Sequence, residues 1–205
     1  MDYSTDGRLI HDGPYPLGKL ITDAVPSIKL DDITDDVKEI ARRVLYLYDK
    51  FQCTEIFGKA AKVESAFQNA HANEMSALLF GGSLLDSPYI AIALTAIFGY
   101  RDSPGIFALL AKTVQHYHRV EKSKMNGILT SVWSWVRVDD FVGIKPGLDN
   151  RLLSSELRLR SAFLFIFGST GWNINKYASW SNILHAVGLD WGLIKLAVSM
   201  PGAKI

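Results

Sequence analysis

The chain has 205 residues and a mass of 22.8 kDa, with 48% hydrophobic and 21% charged side chains. That profile suits a globular protein with a substantial core, and it excludes wholesale disorder, a collagen-like fibre and a disulfide scaffold. The formal net charge of +1 selects no polyelectrolyte partner, yet the distribution is uneven: residues 1–100 carry 9 basic and 14 acidic side chains, and residues 101–205 carry 13 and 7.

The segment 1–33 is punctuated by Gly7, Gly13, Pro14, Pro16, Gly18 and Pro26 and is rich in Asp, opposed only by Arg8, Lys19 and Lys29. It reads as a flexible acidic arm. It has no basic start followed by an apolar run, so it is not a secretory signal. The clearest helix follows, with Val37, Ile40, Ala41, Val44, Leu45, Tyr48 and Phe51 at helical spacing. Thr34 is its expected cap, Asp35 and Asp36 complement its dipole, and Gly58 is its expected stop. Cys53, the single cysteine, reads as a buried inert thiol, which leaves a reducing, intracellular setting as the expectation.

A second helix is predicted over Lys59–Phe80, closing on Gly81-Gly82. Two further helix starts share a Ser-Pro signal, Ser87-Pro88 and Ser103-Pro104. The first opens an apolar run expected to form a central buried helix. Its near-apolar stretch, Tyr89–Tyr100, is 12 residues long, whereas a membrane-spanning helix needs roughly 20. The second start opens an amphipathic helix, with Ile106, Phe107, Leu109, Leu110, Val114 and Tyr117 set against Lys112, His116 and Arg119.

Beyond Lys124 the period changes. Val132–Val138 alternates, as does the start of Glu156–Phe167, and both are predicted as strands separated by a loop over Gly143–Asn150. A helix over Asn150–Phe167 remains an alternative, because Leu152, Leu153, Glu156, Leu157 and Arg160 also fit helical spacing. The chain is then expected to return to helix over Ser179–Val187, closing on Gly188, and again over Trp191–Ser199 with Asp190 as its cap. The fold class expected is mainly α (α+β): a helical core with a small antiparallel β-element in the second half. Its domains are the arm, 1–33, and a single globular domain, 34–205, helical over 34–125 and β-containing and Trp-rich over 126–205.

No nucleophile elbow, phosphate-binding glycine loop or structural zinc spacing is present. No cofactor or metal is implied, and no catalytic residue is assigned. His71 and Glu74, with Glu64, could share a helix face; His116 and His118 diverge on a helix. These positions define the alternative reading, an enzyme or small-ligand-binding protein with a dispersed His/Glu site. The carboxylate pairs Asp31-Asp32 and Asp35-Asp36 are accounted for by helix-start electrostatics, and Asp139-Asp140 as a strand terminator.

The preferred reading is a non-enzymatic self-assembling structural or scaffolding protein of viral matrix or nucleocapsid type. Its basic, aromatic second half would contact RNA, anionic lipid or neighbouring subunits. The contact residues expected are Arg119, Lys122, Lys124, Arg137, Arg158 and Arg160, where cations could neutralise phosphates and nearby aromatics could stack. Trp133 and Trp135 are expected at an interface. Tyr15-Pro16-Leu17-Gly18-Lys19-Leu20 is similar to the late-domain motif Tyr-Pro-x(1–3)-Leu with which viral matrix and capsid polyproteins recruit budding machinery, which implies an interface role for Tyr15, Pro16 and Leu20. The partners expected are a second copy of the chain and RNA or an anionic membrane surface, with no transmembrane segment.

Overall fold

A computed structural model of the chain describes residues 35–77, 80–83, 88–97, 100, 102–120, 123–125, 128–130, 132–148, 150–169, 171 and 177–202. The arm, with Tyr15, Pro16 and Leu20, therefore lies outside the described residues, as do Thr34, Lys122 and Trp172. The elements are α1 (Lys38–Lys50), β1 (Ile56–Lys62), a 3-10 turn (Ala66–Asn69), α2 (Glu74–Ala77), β2 (Gly81–Ser83), β3 (Ile90–Ile92), α3 (Ser103–Val120), β4 (Ser123–Met125), β5 (Ile128–Thr130), β6 (Trp135–Arg137), β7 (Asp140–Pro146), α4 (Arg151–Phe167), β8 (Ile183–Ala186), β9 (Leu189–Gly192) and β10 (Ala197–Ser199). The fold class is thus an α+β mix in which helix does not clearly dominate, not the mainly α domain that periodicity predicts.

The chain divides into two compact units. The described part of unit 1 lies within residues 65–107, and that of unit 2 within 35–64 and 108–202. The helix predicted over Lys59–Phe80 does not form, its start being the end of β1 in unit 2, and neither does the one predicted after Pro88 in unit 1. Instead β2 and β3 pair antiparallel, Gly81 opposite Ile92, and the apolar run that was expected to be buried leaves Tyr89, Ile90, Ile92 and Leu94 exposed. The exposed Ile90, Ile92 and Leu94 fall on alternate positions, which is the period of an extended segment. His71 lies in an isolated bridge with Thr95, and Glu74 starts the one-turn α2, so the expected shared helix face is absent. The Ser103-Pro104 start is where the sequence places it. The Ser103 hydroxyl donates to the Ile97 carbonyl at 2.8 Å rather than capping its own helix.

Unit 2 is built on a three-stranded antiparallel sheet in the order β1-β7-β6, in which Ile56 faces Pro146, Lys62 faces Asp140 and Trp135 faces Val142. On one face α1 sets Ile40, Val44 and Leu47, one helical stripe, against Ile56, Trp135, Val142 and Ile144. A second sheet, β10-β9-β8, completes this core with Leu184, Ala186 and Trp191. On the opposite face Phe141 meets Phe163 of α4 edge to face, with ring centroids 4.8 Å apart.

The local causes are specific. α1 begins where the Lys38 amide donates to Asp36 Oδ1 at 2.9 Å. It ends where the Phe51 amide bonds the Leu47 carbonyl and Cys53 turns left-handed at φ 69°. Cys53 is exposed rather than buried. Gly58 does not stop the helix: it lies inside β1, where a Cβ would come 2.9 Å from Leu184 Cβ, so close packing of the two sheets requires glycine.

Residues 156–167, predicted as a strand, belong to α4, because Ser155, Leu159, Ala162 and Phe163 form one buried helical stripe. The alternation of Leu and Arg before it places Leu157 on the solvent side. The first half of the expected loop over 143–150, residues 143–146, belongs to β7. The two predicted C-terminal helices are instead the meander β8-β9-β10. Val187 and Gly188, at φ 57° and 72°, form the two-residue turn that favours a right-twisted hairpin, so the glycine that reads as a helix stop is a hairpin signal.

Candidate anion-binding and carboxylate sites

Two groups of charged side chains in unit 2 have chemical potential. The first is at the tip of the β6–β7 hairpin, where Val138 (φ 50°) and Asp139 make the turn. Lys62 of the neighbouring strand places its ammonium 2.7 Å from Asp140 Oδ1. Burial works against charge on Lys62, but the Asp140 hydrogen bond and the charges of Asp140 and Asp139 outweigh it and raise its pKa above the ordinary lysine value. Adjacent carboxylates that could otherwise hold a divalent cation already have an ammonium. Lys62→Ala is expected to let Mn2+ broaden the amide NMR signals of Asp139 and Asp140 at millimolar concentration, with no such broadening in the unsubstituted chain. Equal broadening in both would show that Lys62 does not neutralise the pair.

The second group is cationic. Asp35 ties its neighbours internally: it accepts from Lys112, from Gln115 Nε2 at 2.6 Å and from the Val136 amide at 2.9 Å, and it lies 3.9 Å from Arg119. Glu156 likewise receives Lys59 at 3.0 Å and Arg160 at 2.7 Å. Lys145, near the end of β7, has no such acid among the described residues. Burial first, and then the charges of Arg43 on α1 and of Arg158 and Arg151 on α4, hold its pKa down to about 8. Arg43 itself lies between aromatic rings, 5.4 Å from the Tyr46 centroid and 5.6 Å from that of Trp133, and its buried Nε has no hydrogen-bond partner.

The contact residues expected from sequence are thus placed differently from one another. Arg119 donates to the Ser134 carbonyl and Arg160 is paired with Glu156, so both help to hold unit 2 together. Arg137 is exposed on β6, and Arg158 joins the Lys145 group. Lys122 is outside the described residues, as is the side chain of Lys124. Trp135 is fully buried, with its indole N–H donating to the Asp36 carbonyl at 2.9 Å. It is therefore a core residue that offers no surface to a neighbour. Trp133 is half-buried against Arg43. Sequence reading missed Arg43, Lys145 and Arg151 as site residues; the only signal was a lysine at a core-facing parity of the run Phe141–Lys145.

Among the described residues there is no group of three or more His, Cys, Asp or Glu side chains able to hold a metal ion. No helix there is long and apolar enough to cross a membrane.

No protein-family model matches the chain, and no curated protein matches it in sequence. Among solved structures, it is similar to part of the foamy viral protease-reverse transcriptase in complex with dsDNA, at 12% identity and a TM-score of 0.49 over 72% of this chain and 27% of that one. It is also similar to part of apo telomerase from Candida Tropicalis truncated from its C-terminal domain, at 14% identity and a TM-score of 0.49 over 82% of this chain and 40% of that one. The chain spans less than half the length of either. Similarity at this level does not establish a common fold, and no residue role is carried over from them.

Proposed function

We propose that the chain is a non-enzymatic RNA-contacting protein whose unit 2 neutralises phosphates of the RNA backbone. The observation that carries the reading is the pairing of charges within unit 2. Its part-buried acids Asp35, Asp140 and Glu156 are bound to internal cations, while Arg43, Arg137, Lys145 and Arg151 have no carboxylate partner among the described residues. A surplus of positive charge held on a rigid frame attracts a polyanion and makes its binding salt-dependent. Lys62 is consistent with the non-enzymatic part, because its ammonium is bound to Asp140 of the Asp139-Asp140 pair and offsets part of that pair's charge.

The test is fluorescence anisotropy with a 5′-hydroxyl oligoribonucleotide across a salt series. Neutralisation of about four phosphates predicts a log-log slope near −3 on single strands. Arg137→Ala and Arg151→Ala are each expected to reduce that slope by about 0.7 while leaving unit 2 folded. Salt-independent binding, or none at low salt, would refute the reading.

A further inference from the structure

A surface helix normally turns its polar side to water, and a continuous apolar stripe left there marks a contact surface. α4 carries such a stripe. Leu153, Leu157, Ser161, Leu164 and Phe165 are exposed and recur at helical spacing on the side away from the buried Ser155, Leu159, Ala162 and Phe163. On α3, Leu109, Thr113 and Tyr117 form a second exposed stripe, and the two meet where the Tyr117 and Phe165 rings stack with centroids 5.3 Å apart. Phe165 is 72% exposed, and the four leucines are each about half exposed. Together with Tyr117 they leave roughly 400 Å² of apolar side chain open. A stable interface takes about 800 Å² from each partner, a little over half of it apolar, which these two stripes supply.

Charge and shape commit this area to a second copy of the chain. Residues 161–167 contain no charged side chain, so a charged partner would find nothing to pair with there, whereas an identical surface strands no charge on burial. The shape is self-complementary as well. A hollow of about 400 Å³ along α4 is lined by Leu153, Leu157 and Arg158 among others and extends to Ser161, and a smaller cavity than this admits a benzene ring. Phe165, two turns beyond Leu157 on the same helix, supplies the ring. When two α4 helices lie antiparallel across a two-fold axis at Ser161, Phe165 of each copy falls opposite Leu157 of the other, because both residues are four positions from the axis. The small serine at the crossing lets the helices approach. We infer that the outer face of α4, with Tyr117 of α3 beside it, is a homodimer interface in which Phe165 of each copy enters the α4 hollow of the other. The contact goes beyond phosphate neutralisation and does not depend on it.

Sedimentation equilibrium of the whole chain from micromolar to submillimolar concentration, without nucleic acid, tests the interface. The unsubstituted chain is expected to dimerise reversibly. Phe165→Lys and Leu157→Glu change exposed positions, so each is expected to keep the far-ultraviolet circular dichroism of the fold while weakening dimerisation at least tenfold in Kd. Ile183→Lys, at a 68% exposed position on β8, is expected to leave dimerisation unchanged. An equimolar mixture of Phe165→Lys and Leu157→Glu chains gives the sharpest result. In the mixed dimer one Phe165–Leu157 contact is intact and the other becomes a lysine facing a glutamate, so association at least tenfold tighter than that of either variant alone is expected. A chain that stays monomeric throughout, a dimer unchanged by both variants, or a mixture no tighter than its components would overturn the interface. Binding of a monomeric chain to phosphatidylcholine vesicles, abolished by Phe165→Lys, would overturn it too and assign the face to a lipid surface.

Discussion

Glu156→Gln is expected to destabilise unit 2 by about 3–5 kcal/mol, the range for removing one partner of a buried ion pair. Lys59 is only 4% exposed, and its ammonium lies 3.0 Å from Glu156 Oε2. The Tyr177 ring, 4.1 Å from the ammonium, and the Trp180 ring, 5.8 Å away, enclose it further. Burial depresses the Lys59 pKa even with Glu156 in place. Without that carboxylate, only cation-π attraction would remain among the described residues to hold the charge. Arg160, on the next turn of α4, would lose its 2.7 Å partner at the same time.

Replacing both partners with apolar residues of similar size, Lys59→Met with Glu156→Leu, is expected to restore most of the loss, because no desolvated charge is then left. Urea unfolding of the two variants measures the contrast. A loss below about 1 kcal/mol in the single variant would mean that water reaches Lys59 freely. The pair also has a pH signature. Burial raises the Glu156 pKa, but the hydrogen bond and charge of Lys59 more than offset it, so the folded value lies below the unfolded one. Its contribution is therefore present above the ordinary carboxyl range and is lost as pH falls through the depressed value.

Acid is expected to act first through a different residue. His118 on α3 is 1% exposed, and its pKa falls to about 4, mainly from burial and further from the charges of Lys145, Arg158 and Arg119. Its Nε2 lies 3.1 Å from the Ser155 carbonyl and donates to it, which leaves buried Nδ1 as an acceptor with no donor. Between pH 6.5 and about 4 the unfolded chain binds a proton at this position that the folded chain does not, so stability falls as pH falls through that window. The full effect is ~3 kcal/mol. His118→Gln, which keeps a donor for the Ser155 carbonyl and cannot titrate, is expected to flatten the stability profile between pH 6.5 and 4. The fall below pH 4, which belongs to Asp35 and Glu156, should remain. A wild-type profile already flat from pH 6.5 to 4 would contradict the burial of this imidazole.

How much of the fold is legible in the sequence depends on whether one element settles its own pattern. α1 is legible because Ile40, Val44 and Leu47 repeat at helical spacing and Asp36 precedes them. The start of α3 at Ser103-Pro104 and the strand character of Trp135–Arg137 are legible for the same local reasons. β7 is obscured because Gly143, Pro146 and Gly147 read as loop residues. In the fold, Gly143 lies under the Trp180 ring, where a Cβ would be 3.4 Å away, and Gly147 makes room for the Phe57 ring. The C-terminal meander is obscured because Gly188 serves a helix end and a hairpin turn equally well.

The charged residues of unit 2 show the same division. The sequence by itself determined that positive charge accumulates in the second half and that no phosphate loop or nucleophile elbow is present. It also determined that His116 and His118 point apart once they lie on a helix. Only the tertiary structure decided which cations are paired with an acid among the described residues. Asp35 reaches Lys112 and Arg119, Asp140 reaches Lys62, and Glu156 reaches Lys59 across long separations in the chain. Whether a charge is free or paired depends on distances of a few ångströms between elements, which the β1-β7-β6 order sets and which residue spacing along the chain does not encode.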